Sequence, residues 1–183
     1  MRGTVLVVLA ACGHAPATRP PSSPCEGAIA GFASAEPAHL VVMPATCTRA
    51  ELAAMMHDDN LWTRGSLGDA NATYEMGYLS SPRLKNANAF LDEHGHVRLI
   101  TAEMPPGTEA QYRAALGEPD VAIDYVFGDP DVVLRKGELL WLSRGVTLVV
   151  SKGLIRVGIF PPTTLEQYAA KLKFIDIEDV DEG

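Results

Sequence analysis

The 183-residue sequence predicts an α+β protein in which short capped helices alternate with antiparallel β-strands. A helix-start signal that occurs three times, and the β-type sequence between its copies, support this prediction. The composition shows that the chain can bury a core, because 47% of its residues are hydrophobic and 21% are charged. We therefore expect two tandem units of capped helix plus β-meander, followed by a terminal helix.

The helix-start signal consists of an apolar run, a turn at proline and the pattern Thr-x-x-Glu/Gln. It occurs at Thr48, Thr108 and Thr164, so the copies are separated by 60 and then 56 residues. The pattern is typical of a capping box, in which the Thr hydroxyl and the Glu or Gln side chain each accept a backbone N–H of the first turn. Apolar residues spaced four apart on one helix face follow each cap: Leu52 and Met56, Tyr112 and Leu116, Tyr168 and Leu172.

Between the caps, β-type runs are joined by short turns that contain glycine, which favours antiparallel hairpins. A further strand is expected directly after His39, and a second helical turn around residues 60–66. All helices are expected on one face of the sheet. The predicted strands of the two units are 73–79, 89–92 and 96–104, then 122–127, 138–142, 146–150 and 154–160.

The N-terminus indicates export. Residues 1–11 have a cationic start and an apolar run that ends in small residues, the pattern of a short secretory signal peptide. Leu9-Ala10-Ala11-Cys12 resembles the lipobox of bacterial lipoprotein precursors. The resemblance implies cleavage before Cys12, a diacylglyceryl group on its thiol and acylation, as by palmitate, of the new amine; Gly13 then fits retention in the outer membrane. A plain signal peptide, or an N-terminal strand with a buried cysteine, is the alternative.

Three segments follow the signal peptide. Residues 12–38 are rich in Ala, Pro, Ser and Thr, which predicts an extended tether. The α+β domain is expected over 39–174, with its two units at 39–104 and 105–174. The acidic tail, 175–183, is interpreted as solvated. Up to Lys173 the chain has 15 basic and 18 acidic residues, so it lacks the basic excess of a nucleic-acid-binding protein.

The layout of the domain is similar to two families. One comprises the small helix-plus-sheet envelope lipoproteins, such as the accessory lipoprotein of the barrel-assembly machinery, and the other the tandem-repeat β-lactamase inhibitor proteins. The order of elements over about 39–173 and the turns Leu67-Gly68-Asp69 and Leu116-Gly117-Glu118 carry this resemblance. It implies action through protein contact, and no contact residue is transferred from either family.

No catalytic motif is present in the sequence: it has no Gly-x-Ser-x-Gly, His-Glu-x-x-His or phosphate-binding glycine loop. We therefore predict no catalytic residue, no cofactor and no metal. His94 and His96 lie beside Asp92 and Glu93 at a predicted turn, but a metal site needs ligands from a further element. We interpret this cluster as the polar tip of a hairpin.

Two cysteines and three aromatic residues are further candidates for a structural or a binding role. An exported location permits a disulfide between Cys25 and Cys47, and two buried free thiols are the alternative. Trp62, Tyr78 and Trp141 are candidate partner contacts, since aromatic residues anchor many interfaces. Packing in the core is the alternative for all three.

These observations predict a lipid-anchored protein of the cell envelope, on the periplasmic side of the outer membrane. It would act as an accessory or scaffolding lipoprotein and not as an enzyme. Its expected partners are the membrane, through the N-terminal acyl chains, and another envelope protein. Two alternatives stay open: an inhibitor or sequestering module for an exported enzyme, and an envelope hydrolase without a recognisable motif.

Overall fold

The computed structural model describes residues 21–55, 57–67, 72–127, 134–151 and 154–172. The signal segment, Cys12 and the acidic tail lie outside these ranges. The helices are α1 Pro24–Ala33, α2 Arg49–Met55, α3 Thr108–Leu116 and α4 Leu165–Lys171, with a 3-10 turn at Pro37–His39. The strands are β1 His57–Leu67, β2 Ala72–Ser80, β3 Lys85–Leu91, β4 Val97–Met104, β5 Val121–Phe127, β6 Leu134–Trp141, β7 Val146–Ser151 and β8 Leu154–Ile159.

The strands form one antiparallel sheet in the order β1-β2-β3-β4-β8-β7-β6-β5. The predicted α+β class is therefore confirmed. Strands β1–β4 form one meander and β5–β8 another, and the two join where Thr101 of β4 pairs with Gly158 of β8. The equivalence of the two halves as tandem units stays a prediction.

The predicted helical turn at 60–66 is wrong, because these residues lie in β1, which pairs with β2 at residues 57–58 and 62–67 with an irregularity between them. Trp62 stands opposite Gly77, and its indole occupies the space where a Cβ at position 77 would lie. Residues 62–66 therefore form a strand because they pair with β2, and the local sequence does not show that pairing. The strand expected after His39 does not form, since residues 40–44 belong to no strand of the described sheet.

Helix α1 lies within the segment predicted as a tether and corrects that prediction for residues 24–33. The Ser23 hydroxyl accepts the Glu26 N–H at 3.1 Å, and proline occupies the first turn. The segment is rich in small residues, but its apolar residues have helical spacing and form one face of the helix. The buried residues of that face are Cys25, Ala28, Ile29 and Phe32.

Helices α1, α2 and α3 pack in the larger core on one face of the sheet, and α4 packs in a second core. The prediction that all helices share one face is therefore wrong for α4. In β7, Leu148 belongs to the larger core and Val149 to the second, because successive residues of a strand point to opposite faces. The Phe160 ring lies 5.1 Å from that of Tyr168, which fixes α4 there.

Two of the three predicted caps form part of a capping box. The Thr164 hydroxyl accepts the Gln167 N–H at 3.3 Å. At α2 the opposite half is present, since the Glu51 carboxylate accepts the Thr48 N–H at 3.0 Å. Each contact satisfies a backbone donor that the first helical turn leaves free.

The cap predicted at Thr108 is wrong. Gly107, with φ of +86°, is the N-cap of α3, and Thr108 is the first helical residue. The left-handed conformation is readily available to glycine, so the helix begins one residue earlier than the pattern predicted. The Thr108 hydroxyl instead donates to the Pro105 carbonyl oxygen at 2.6 Å.

Candidate functional site

A cleft of about 620 Å³ lies between α4 and the β3–β4 hairpin. This volume is in the range of small-ligand sites. One side of the cleft is formed by the hairpin and the other by α4 with the segment 161–163. The start of β2 and Ala45 complete its lining.

Asp92 fixes the hairpin side of the cleft. Its carboxylate accepts the backbone N–H groups of His94 at 2.9 Å and His96 at 3.0 Å. The same carboxylate binds Arg98, whose Nε lies at 2.7 Å and Nη2 at 2.6 Å. Arg98 also donates from Nη1 to the Ala45 carbonyl oxygen at 3.2 Å. The arginine therefore ties the hairpin to the loop that precedes α2.

These contacts determine the ionisation of Asp92. Burial disfavours its charged form, but hydrogen bonds from the His96 N–H, the Arg98 side chain and the His94 N–H outweigh it. Together with the Arg98 charge they hold the pKa of Asp92 below its ordinary value. Asp92 therefore stays charged over the whole neutral range.

Asp92→Asn is expected to lower the free energy of unfolding at pH 7 by about 1–3 kcal/mol, because the Arg98 charge loses its partner. A carboxylate with a lowered native pKa stabilises the fold above its unfolded pKa of about 4, and this contribution disappears as pH falls through the native pKa. Urea titrations at pH 7 and below pH 4 should thus show a difference between wild type and Asp92→Asn that shrinks in acid. A constant difference would contradict this role, and Glu93→Gln is the exposed control.

Two sets of buried hydrogen bonds hold α4 against the sheet. The Tyr74 hydroxyl donates to the Lys171 carbonyl oxygen at 2.7 Å. Burial is the main cause that raises the pKa of Tyr74, so the hydroxyl keeps the proton that it donates. Beneath the helix, the hydroxyls of Tyr168 and Thr147 both donate to the fully buried Glu138 carboxylate.

His94 and His96 flank the tip of the hairpin, as the sequence predicted, with ring centroids 6.3 Å apart. His96 Nδ1 lies 3.7 Å from an Asp92 carboxylate oxygen that Arg98 already binds. Across the described ranges, no group of three or more His, Cys, Asp and Glu residues could hold a metal ion.

A Ser, Glu and His cluster follows α1 and bears on the hydrolase alternative. Ser34 Oγ lies 3.3 Å from His39 Nδ1, and Glu36 Oε2 lies 3.4 Å from the same nitrogen. In a catalytic triad the hydroxyl and the acid contact opposite ring nitrogens. The Ser34 hydroxyl also donates to the Gly31 carbonyl oxygen at 2.7 Å, so this cluster terminates a helix and is not a triad.

The three aromatic contact candidates have different environments. Trp141 is only 2% exposed and its Nε1 donates to the Gly117 carbonyl oxygen at 3.0 Å, so it is wrong as a partner contact. Trp62 is partly buried, with the Arg49 guanidinium 4.2 Å from its ring centroid. Tyr78 is 48% exposed and can still contact a partner.

Sequence reasoning missed an exposed apolar pair, Val41 and Val42. Their side chains are 54% and 40% exposed, whereas the next residue, Met43, is buried. The apolar run predicts a strand of the sheet, but apolar residues in sequence do not reveal which of them a neighbour will cover. Among the described residues, no backbone group forms a hydrogen bond with either valine.

The disulfide between Cys25 and Cys47 is present, with the two Cα atoms 5.3 Å apart, which confirms that pairing.

Comparisons of the chain with protein families, curated proteins and solved structures found no match. Within the described ranges, no helix is long and apolar enough to cross a membrane.

Proposed function

We propose that this protein is a lipid-anchored component of the bacterial cell envelope that acts by binding another envelope protein. The observation that carries the proposal is the lipobox-like segment Leu9-Ala10-Ala11-Cys12 at the end of a short signal-like run. The Cys25–Cys47 disulfide supports export, since such bonds persist mainly in oxidising compartments.

The position of α1 limits the reach of the anchor. Twelve residue steps separate Cys12 from Pro24, where the helix begins, and a fully extended chain of that length spans about 40 Å. A partner of the domain must therefore lie close to the membrane that holds Cys12. This favours an accessory role within a membrane-bound assembly.

The exposed Val41 and Val42 are the contact surface that we expect for this partner. Their adjacent apolar side chains are accompanied by backbone groups without partners in the described chain, which suits pairing with an extended segment. Tyr78, the exposed one of the three aromatic candidates, is the second contact position that we assign.

Site-specific photocrosslinking in the native host tests the protein contact. A photoreactive residue at position 42 is expected to give one discrete adduct in the membrane fraction, and the same residue at exposed Glu118 should give none. Val42→Lys should reduce the amount of partner recovered with the full-length protein. Equal crosslinking at positions 42 and 118 would contradict the assigned surface.

A further inference from the structure

We infer that the cleft between α4 and the β3–β4 hairpin binds a short peptide that carries a free amino group and a free carboxylate. This binding site goes beyond the proposed function. It depends on the folded domain and not on the lipid anchor.

The charges that line the cleft support a zwitterionic ligand. Asp92 and Arg98 neutralise each other, which leaves Glu93 on the hairpin side and Lys171 on the helix side. The Glu93 side chain is 87% exposed, and His94 Nε2 approaches it only to 3.7 Å. Lys171 forms no ion pair with any residue that the structure describes. The two sides thus present opposite charges to a ligand between them.

The surface between these charges suits a peptide backbone with an apolar side chain. Tyr74 and Leu172 are buried apart from the atoms that line the cleft. Gln167 uses its Oε1 to accept from the Thr163 hydroxyl at 2.8 Å, so its NH₂ group can donate to a ligand carbonyl oxygen. The charges make the site unsuitable for a lipid chain, and a polyphosphate would need more cations than Lys171 supplies.

On both sides of the cleft, contacts within the protein hold the backbone in place without a ligand. The hairpin is held by the Asp92–Arg98 pair, and the last turn of α4 by the Tyr74 hydroxyl. Binding therefore requires little ordering of the protein, so a few polar contacts can give measurable affinity.

The test uses purified full-length protein in detergent micelles and three forms of the peptide Ala-Leu-Ala. One form has free termini, one is N-acetylated and one is C-amidated, so each blocked form lacks a single charge. In NMR titrations, the free peptide is expected to shift the amide signals of Thr73, Gln167 and Lys171. Each block should weaken binding about two- to fivefold, as for a single exposed ion pair.

Two variants test which residue binds each end of the peptide. Glu93→Gln should remove the effect of acetylation but keep that of amidation, and Lys171→Gln should do the reverse. Glu166→Gln and Lys85→Gln, exposed residues outside the cleft lining, should keep both effects. The inference is overturned if about 10 mM free peptide shifts none of these amides, or if the variants leave the dependence on both termini unchanged.

Discussion

Cys12→Ser is expected to abolish acylation of the chain and its stable attachment to the membrane. Two or three acyl chains hold a protein on a bilayer almost permanently, whereas one binds only marginally. Wild-type protein should therefore stay in the membrane fraction after a high-salt wash, which removes electrostatic binders. The serine variant keeps the size of the side chain but lacks the acceptor thiol, so it should leave uncleaved precursor or soluble protein.

Mass spectrometry of the N-terminal peptide from the native host decides this prediction. Wild type and a Thr18→Ala control should both begin at Cys12 and carry acyl mass. The disulfide and the denaturant midpoint of the folded domain should be the same in the serine variant. An unmodified Cys12 in wild-type protein would reject the anchor and the envelope role that rests on it.

Hairpins and the terminal helix could be predicted because their signals are local. The sequence predicts a turn at Ser143-Arg144-Gly145, and the structure has one there between β6 and β7. Gly145 has φ of +65°, and a Cβ there would overlap the Phe160 carbonyl. Only glycine fits this position, so the glycine in the sequence is enough to predict the turn. Thr164 caps α4 for a similarly local reason, the acceptor that its hydroxyl offers to Gln167.

Several of the errors concern features that depend on residues distant in sequence. Whether Trp141 is exposed depends on which elements pack on the two faces of β6. The apolar residues next to it in sequence do not contain that information. The cleft depends on Arg98 reaching Asp92 and Ala45, contacts set by the pairing of β3 with β4. For α1 a local signal is present, since Ser23 and Glu26 have capping spacing, but the small-residue composition of the segment favours a tether.

Loss of the Cys25–Cys47 disulfide is expected to lower the free energy of unfolding by about 3 kcal/mol. The bond closes a loop over a sequence separation of 22 residues, and the chain-entropy relation gives this magnitude for a loop of that length. Cys25 lies in the first turn of α1, and the Cys47 carbonyl oxygen accepts the N–H of Val97 in β4 at 2.7 Å. The disulfide therefore fastens the first helix to the segment before α2, which is itself hydrogen-bonded to a central strand.

Denaturant titration of oxidised wild type, reduced wild type and the Cys25→Ala/Cys47→Ala variant measures this contribution. Reduction removes only the cross-link, whereas the alanine variant also removes two buried sulfur atoms, so its stability should be equal to or lower than that of reduced protein. Thiol labelling of unfolded, unreduced protein should find neither cysteine free. If both cysteines were labelled, or if reduced and oxidised protein had the same midpoint, the disulfide would not hold α1. Non-covalent contacts would then hold it: Ile29 and Phe32 in the core, and the hydrogen bond from its cap, Ser23, to Glu51 at 2.8 Å.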